Sequence, residues 1–137
     1  MFKLIRSKNY PACNPTIKRF EKSSSYAIPA GTPLCLLEGV VYPCAKGCDV
    51  THMSLNSATL EDKTILCYEV TSDMVFNAPY AGKYDETMIG TKLGFMLNEN
   101  GLACGAEYDE EHEVILMLDM KAHKNPGDDI ELSFIIK

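Results

Sequence analysis

Residues 65–79 of the chain read ILCYEVTSDMVFNAP, and this stretch decides the fold class. A run of β-favouring side chains from Ile65 to Val70 passes through a polar joint, residues 71–73, into a second short apolar run that ends at Pro79. Runs this short, bounded by turn-forming residues, are typical of β-strands. The stretch therefore predicts two consecutive strands joined by a tight connection.

Short apolar runs also lie on both sides of this stretch. Glu38-Gly39, between two β-favouring runs, predicts a tight hairpin, and Asn98-Glu99-Asn100-Gly101, after residues 91–97, predicts a hairpin turn. Residues 130–136 alternate apolar and polar side chains, as a half-buried strand does, whereas residues 56–63 are compatible with a short helix or an ordered loop. About ten short strands predict an all-β fold, a small antiparallel β-barrel or sandwich. We detect no internal repeat in the sequence.

The chain has 137 residues, of which 46% are hydrophobic and 23% are charged. A chain of this length buries roughly two-thirds of its unfolded surface, so a compact domain needs neither a disulfide nor a metal for stability. The apolar runs are only a few residues long, and the N-terminal residues lack the apolar core of a signal peptide. We therefore expect a non-exported protein without a membrane partner.

The chain contains six cysteines, and several of them lie in apolar surroundings. Cys35, Cys67 and Cys104 fall inside strand-like runs, where a thiol behaves as a small hydrophobic side chain. Without an export signal, reduced cysteines are favoured over a disulfide framework. The complete set is Cys13, Cys35, Cys44, Cys48, Cys67 and Cys104.

Charge is unevenly placed along the chain. Residues 1–22 carry six lysines and arginines and one glutamate, whereas the chain as a whole has a formal net charge of −6. We therefore divide the chain into an extended basic N-terminal arm, residues 1–22, and a single β-rich domain, residues 23–137, with the serines at 23–25 as the joint. An acidic body argues against nucleic acid as a partner. The arm is either a solvated terminus or a segment that docks on an acidic neighbour, including another copy of the chain.

Cys44, Cys48 and His52 form the best candidate metal site, because three soft or borderline ligands at this C-x3-C-x3-H spacing suit zinc. A fourth ligand would have to come from Cys13, Cys67 or a carboxylate. Structural zinc sites nearly always use four ligands, so the favoured interpretation is loop cysteines without a metal. We accordingly predict no metal and no cofactor, with zinc as the alternative.

The sequence does not carry a catalytic signature. His52, His112 and His123 lie in unrelated loops, no cysteine lies at an evident helix N-terminus, and no C-x-x-C pair occurs. The acidic run at 107–113 lacks the calcium-loop pattern, and phosphate-binding glycine motifs are absent. We therefore predict that the protein is not an enzyme.

Several short sequence phrases follow one another along the chain in a characteristic order. They are YAIPAGTPL at 26–34, EGV at 38–40, CYEVTSDMVF at 67–76, IGTKL at 89–93, NGL at 100–102 and DDIELSF at 128–134. In this layout, residues 23–137 resemble the small head decoration, or cement, proteins of tailed bacteriophages. The six cysteines and the loop PCAKGCD at 43–49 depart from the usual pattern of that family.

The resemblance implies a β-rich protein on the exterior of an icosahedral capsid, made in the host cytoplasm and often trimeric. Such a protein stabilises the shell by clamping adjacent major capsid protein subunits. The expected partners are therefore the major capsid protein and other copies of this chain. A fibre base or adaptor in the virion, or a small metal-binding β-barrel protein, are the alternatives.

We expect the arm to form the principal contact, because its basic residues complement an acidic neighbour and its apolar residues can form a strand on the edge of a neighbouring sheet. Residues 80–86 are expected to form a second contact. Deleting residues 2–20 is then expected to abolish capsid binding and to leave the domain folded. The predicted contact residues are Phe2, Lys3, Leu4, Ile5, Arg6, Lys8, Tyr10, Lys18 and Arg19 in the arm, and Tyr80 and Tyr84 in the second contact.

Overall fold

The computed structural model describes residues 2–7, 16–82, 86–121 and 130–136, and this part of the chain is almost entirely β-structure. The all-β prediction is confirmed. None of the described residues form a helix with the length and apolar character needed to cross a bilayer. The strands are β1 (Lys3–Ser7), β2 (Ile17–Lys22), β3 (Pro33–Leu37), β4 (Val40–Pro43), β5 (His52–Ser54), β6 (Thr64–Glu69), β7 (Met74–Tyr80), β8 (Lys92–Leu97), β9 (Ala103–Glu107), β10 (Ile115–Lys121) and β11 (Ile130–Ile136), and a single 3₁₀ turn spans Glu86–Met88.

Strands β2 to β6 close into a five-stranded barrel in the order β2-β4-β3-β5-β6. All neighbours are antiparallel except β2 and β4, which run parallel. The predicted Glu38-Gly39 hairpin joins β3 to β4, with both turn residues at positive φ, as a two-residue hairpin requires. We call this barrel the first unit.

Strands β7 to β11 form a second ring. Their sheet has the order β7-β11-β10-β8-β9, and a parallel pairing of Tyr80 with Ala106 links β9 back to β7. Strand β1 is the sixth member of this sheet and pairs antiparallel with the free edge of β7. We call β7 to β11 the second unit.

The two units have the same topology, strand for strand, and most of their paired residues correspond. If β2 to β6 are matched in order to β7 to β11, each pair of neighbouring strands in the first unit has its counterpart in the second. The equivalent pairs are Phe20↔Ile65 with Ala78↔Leu132, Leu34↔His52 with Leu93↔Ile115, Met53↔Tyr68 with Leu116↔Ile135, Leu36↔Val41 with Phe95↔Ala106, and Lys22↔Val41 with Tyr80↔Ala106.

Hydrogen bonds outside the ladders repeat in the same way. Gly31 donates to the Ser54 carbonyl at 2.9 Å, and Gly90, at the equivalent position, donates to the Met117 carbonyl at 3.0 Å. Both glycines have positive φ. The expectation of no internal repeat was therefore wrong. GTPLCLL at 31–37 and GTKLGFM at 90–96 are the matching phrases, but most equivalent side chains differ because register is set by backbone pairing.

Two apolar clusters lie inside this architecture. The smaller one fills the first unit with Ile28, Leu34, Val41 and Ile65 among its members. The larger one fills the second unit and also includes side chains of the first. Its members are Phe2, Cys44, Met53, Tyr68, Met74, Phe76, Ala78, Tyr80, Leu93, Phe95, Ala103, Ala106, Val114, Ile115, Met117 and Ile136. The two units therefore share a core, which packs them against each other.

The described parts of the basic segment belong to the sheets. β1 is paired with β7, and β2 is one of the five strands of the first barrel. The serine joint is also integrated, because Ser23 is buried and its amide donates to the Val41 carbonyl at 3.0 Å. Residues 2–7 and 16–22 therefore do not form an arm separate from the β-rich domain. A buried apolar side chain and paired strands hold them there.

Candidate functional site

Three cysteine thiols converge on one side of the first unit. Cys35 lies on β3, Cys44 directly follows β4, and Cys48 lies four residues further along the loop. Their sulfur atoms all lie within 4.8 Å of one another. We call this group the thiol cluster.

The β3–β4 hairpin and one turn bring the cluster together. Antiparallel pairing places Cys35 opposite Tyr42, and the Cys44 amide then donates to the Pro33 carbonyl at 2.9 Å. Gly47 has a φ of 74°, which turns the loop back so that Cys48 returns to the hairpin. Each thiol is therefore fixed by backbone geometry as well as by packing.

Burial favours the neutral form of the Cys35 and Cys44 thiols by raising their pKa. Desolvation raises the pKa of Cys35 to about 11, and the neighbouring Cys48 thiol adds to the shift. The pKa of Cys44, which is fully buried, is raised still further for the same reason. A thiol with a raised pKa is a poor nucleophile, because the thiolate is the reactive form. The raised pKa of Cys35 and Cys44 therefore argues against covalent catalysis by these thiols, and a metal ion would have to displace their protons to bind.

Only two of the three predicted metal ligands belong to the cluster. His52 lies on β5, where its Nδ1 atom is 2.9 Å from the Thr51 hydroxyl and its ring packs edge-on against Phe20. Cys35 takes its place beside Cys44 and Cys48. Cys35 was not predicted as a ligand, because a thiol inside an apolar strand has the pattern of a core residue. The signal that could have found it was the hairpin at Glu38-Gly39, which brings Cys35 close to the end of β4.

The other candidate fourth ligands are elsewhere. Cys67 is buried in the smaller core, and Cys13 lies outside the described residues. A loop of the second unit contacts the thiol-cluster loop instead: the Lys46 Nζ atom is 2.7 Å from a Glu107 carboxylate oxygen. A Cβ atom placed on Gly47 would lie 2.8 Å from the His112 ring, so the two loops are in close contact.

Asp109 organises that second loop. Its carboxylate accepts hydrogen bonds from the amides of Glu111 at 3.1 Å and His112 at 3.2 Å, and it lies 3.1 Å from the His112 Nδ1 atom. Desolvation acts to raise the pKa of Asp109, but the hydrogen bonds from His112 and Glu111 outweigh it and lower the pKa. By strand register, Asp109 is the equivalent of Cys44 and Gly94 is the equivalent of Cys35.

A second candidate site is the edge of β2. The Lys22 amide donates to the Lys63 carbonyl on the β6 side, and the Ser23 amide donates to the Val41 carbonyl on the β4 side. Because backbone groups alternate between the two edges of a strand, the amides of Ile17 and Arg19 face away from β6. Among the described residues, this edge is paired with β4 only at Glu21 and Lys22.

The equivalent edge of β7 is covered. There β1 pairs with residues 74–77, which match residues 16–19 of the first unit. The open edge of β2, which we define as residues 16–19, carries exposed side chains, with Ile17 53% exposed. An exposed strand edge with an apolar side chain is a template for pairing with another chain.

The predicted contact residues are spread over several environments. Phe2 is 4% exposed and Tyr80 is 8% exposed, so both are core side chains and not surface contacts. Lys18 and Arg19 lie on the open edge of β2, where the Lys18 Nζ atom is 5.3 Å from the centre of the Phe20 ring. Lys3 is exposed and Leu4 is half-buried, and Ile5 and Arg6 lie in β1. Lys8, Tyr10 and Tyr84 lie outside the described residues.

Comparisons with protein-family models, with curated protein sequences and with solved structures found no significant match to this chain. The thiol cluster and the open edge of β2 therefore rest on their geometry.

Proposed function

We propose that the protein is a structural component of a tailed-bacteriophage virion that binds the outer surface of the icosahedral capsid. It stabilises the shell by contacting adjacent major capsid protein subunits. The resemblance to head decoration proteins motivates this proposal, and the open edge of β2 is the observation that carries it. A fibre base or adaptor in the same virion would use the same kind of contact.

The open edge offers the chemistry that such a contact needs. Ile17 and Arg19 direct their backbone groups away from β6, so a strand of a neighbouring subunit can pair with them. Ile17 contributes an exposed apolar side chain, and Lys18 and Arg19 contribute positive charge. The second unit supports the inference, because β1 already occupies the equivalent edge of β7.

Other exposed hydrophobic side chains also lie on the first unit. Six of the eight large hydrophobic side chains found exposed among the described residues belong to the first unit. They are Ile17, Tyr26, Leu37, Tyr42, Leu55 and Leu60. The first unit is therefore the better candidate for the capsid-facing side. Many copies on one shell let weak individual contacts add up.

The deletion of residues 2–20 is not a suitable test of this function. It removes β1, the core residue Phe2 and most of β2, so it would damage both units. A substitution at the open edge is sharper. Ile17→Pro removes one edge amide without breaking the ladder to β6, and Ile17→Val keeps the amide and an apolar side chain.

The test is a sedimentation assay on capsids assembled without this protein. Purified protein is mixed with the shells, the shells are pelleted, and the bound copies are counted. We expect the parent and Ile17→Val to bind and Ile17→Pro to lose about tenfold in affinity. Thermal unfolding of each variant controls for a folding defect.

Two results would contradict the proposal. Parent protein that stays in the supernatant would remove the capsid function. Equal occupancy by Ile17→Pro, with an unchanged melting temperature, would remove the open edge as the contact. Recovery of the protein with tails and not with heads would instead favour the fibre base or adaptor.

A further inference from the structure

We propose that Cys35, Cys44 and Cys48 bind one thiophilic d¹⁰ metal ion of the zinc class, and that the ion ties the 44–48 loop to β3. This site uses a different ligand set from the one that the sequence spacing favoured. It is independent of the capsid proposal, since it concerns the stability of the first unit.

The geometry of the three sulfur atoms fits such an ion. Zinc bonds to thiolate sulfur at about 2.3 Å, which places tetrahedral sulfur ligands about 3.8 Å apart. The three sulfur atoms already lie within 4.8 Å of one another. Side-chain rotations that move each sulfur atom by about one ångström or less would therefore complete the site. Cys35 and Cys48 are half-buried, which leaves a path from solvent for the ion and for a water as fourth ligand.

The chemical character of the cluster also favours a soft ion. The cluster offers three sulfur ligands, and thiolates select zinc, copper(I) and similar ions over magnesium or calcium. A disulfide would use only two of the thiols and would leave the third beside it. One ion can bind all three sulfur atoms together, and the thiol protons are released to solvent as the metal–thiolate bonds form.

The equivalent loop of the second unit is held in place by a carboxylate, which indicates the structural role that a metal ion would have at the thiol cluster. At the position equivalent to Cys44, the Asp109 carboxylate holds its loop through two amide hydrogen bonds and a contact with His112. The 44–48 loop has a longer internal bond, from the Cys48 amide to the Ala45 carbonyl at 3.3 Å. Metal ligation by three thiolates would close this loop as the carboxylate closes the other one.

The equivalent of Cys35 supports the same comparison. That position is Gly94, where a Cβ atom would lie 2.8 Å from the Asp109 Cβ atom. The second unit therefore leaves no room for a side chain under its loop. The first unit has a thiol there, and that thiol faces the two loop cysteines.

Closing the 44–48 loop also affects the contact between the units. Lys46 and Gly47 lie between the two loop cysteines, and they contact Glu107 and His112 of the second unit. An ion that fixes the loop at Cys44 and Cys48 fixes this contact as well. Loss of the ion would therefore loosen the packing of one unit against the other.

The experiment measures metal content and stability together. The full chain is purified under reducing conditions, stripped with a chelator and titrated with Zn²⁺, and with Co²⁺ as a spectroscopic probe. We expect one zinc per chain, a cobalt spectrum with sulfur-to-metal charge-transfer bands, and a melting temperature that rises with zinc concentration. Cys48→Ser and Cys35→Ser should lose stoichiometric binding.

Cys104→Ser is the matched control, because Cys104 is a half-buried strand thiol outside the cluster. It should bind zinc as the parent does. The melting temperature of chelated Cys48→Ser should equal that of the chelated parent, which shows that the variant folds. The proposal is overturned if the stripped parent takes up no stoichiometric zinc, if Cys48→Ser binds as tightly as the parent, or if two cluster thiols prove to be joined in a disulfide in the reduced preparation.

Discussion

Phe2 anchors the N-terminal strand in the shared core. Its ring packs edge-on against Phe95, with ring centres 5.3 Å apart, and its amide donates to the Gly31 carbonyl at 3.0 Å. Phe95 belongs to the second unit and Gly31 to the first, so this residue contacts both. Edge-to-face aromatic pairs stabilise a core beyond the area that they bury.

We predict that Phe2→Ala lowers the free energy of unfolding by about 3 kcal/mol, since a buried aromatic side chain is lost and a cavity remains. Lys3→Ala is the matched control, because Lys3 is exposed on the same strand, and it should change stability by less than about 0.5 kcal/mol. Urea unfolding measures both. Equal effects of the two substitutions would show that the N-terminal segment is not part of the core.

The environment of His52 predicts that stability depends on pH. Partial burial lowers its pKa from the ordinary value, Glu69 acts to raise it, and Lys18 acts to lower it. A lowered pKa in the folded state means that folding favours the neutral ring. The stability from His52 is therefore present above its unfolded pKa of about 6.5 and is lost as the pH falls through the folded value.

We predict that the urea midpoint of the parent falls between pH 7 and pH 5, and that His52→Gln reduces this fall. Glu69→Gln should make the fall steeper, because it removes the neighbour that favours the protonated ring. Urea titrations at several pH values measure these slopes. A fall in His52→Gln as large as that in the parent would assign the pH dependence to other groups.

Strand β9 approaches β7 closely where the second ring closes. A Cβ atom on Gly105 would lie 2.5 Å from the Pro79 carbonyl oxygen, and the neighbouring Ala81 amide donates to the Ala106 carbonyl at 2.9 Å. The backbone oxygen has no freedom to move aside. Gly105 therefore allows the single pairing that links β9 to β7, between Tyr80 and Ala106.

We predict that Gly105→Ala destabilises the protein by about 1–3 kcal/mol through overpacking and speeds hydrogen exchange of the Ala81 amide. Gly101→Asn in the same hairpin is the control: Gly101 has positive φ and open space around it, and asparagine tolerates that conformation. It should cost less than about 0.5 kcal/mol. Unchanged exchange at Ala81 in Gly105→Ala would contradict the role of this close approach.

Most of the strands and turns could be predicted from local sequence patterns. The strand at Ile130–Ile136, the Glu38-Gly39 hairpin and the return at Val40–Pro43 follow from alternation and turn chemistry, and the structure has them. Residues 56–63 form an ordered loop and not a helix. Strand β2 was not predicted, because its sequence IKRFEK is charged and its partners β4 and β6 are distant in the chain.

The two units share a core, and this decides how the whole molecule unfolds. Tyr68 of the first unit is 5% exposed and lies in the same cluster as Phe76 and Phe95 of the second. Neither unit can lose its packing without exposing apolar surface of the other. The molecule should therefore behave as one cooperative body.

We predict a single urea transition, with the Thr51 amide of the first unit and the Val114 amide of the second exchanging at the same slow rate. Tyr68→Ala should lower stability by about 3 kcal/mol and speed both amides equally. Tyr26→Ala, at an exposed tyrosine of the first unit, should leave both rates unchanged. Two separate transitions would show that the units fold independently.

The thiol cluster illustrates why the candidate site was only partly predictable. The spacing of Cys44 and Cys48 was visible in the sequence, because both lie in one loop. Cys35 lies nine residues before Cys44 and reaches it only through the β3–β4 pairing. His52 has suitable spacing, but its strand directs it toward Phe20.

The sequence by itself determined the all-β class, most strand positions and the Glu38-Gly39 hairpin, because alternation and turn chemistry act over a few residues. Only the tertiary structure revealed the duplication, the integration of the N-terminal strands and the three-thiol group. These depend on pairings between distant segments, such as β1 with β7 and β2 with β6. Backbone hydrogen bonds set those pairings with little demand on side-chain identity, so two units with the same register retain few identical residues.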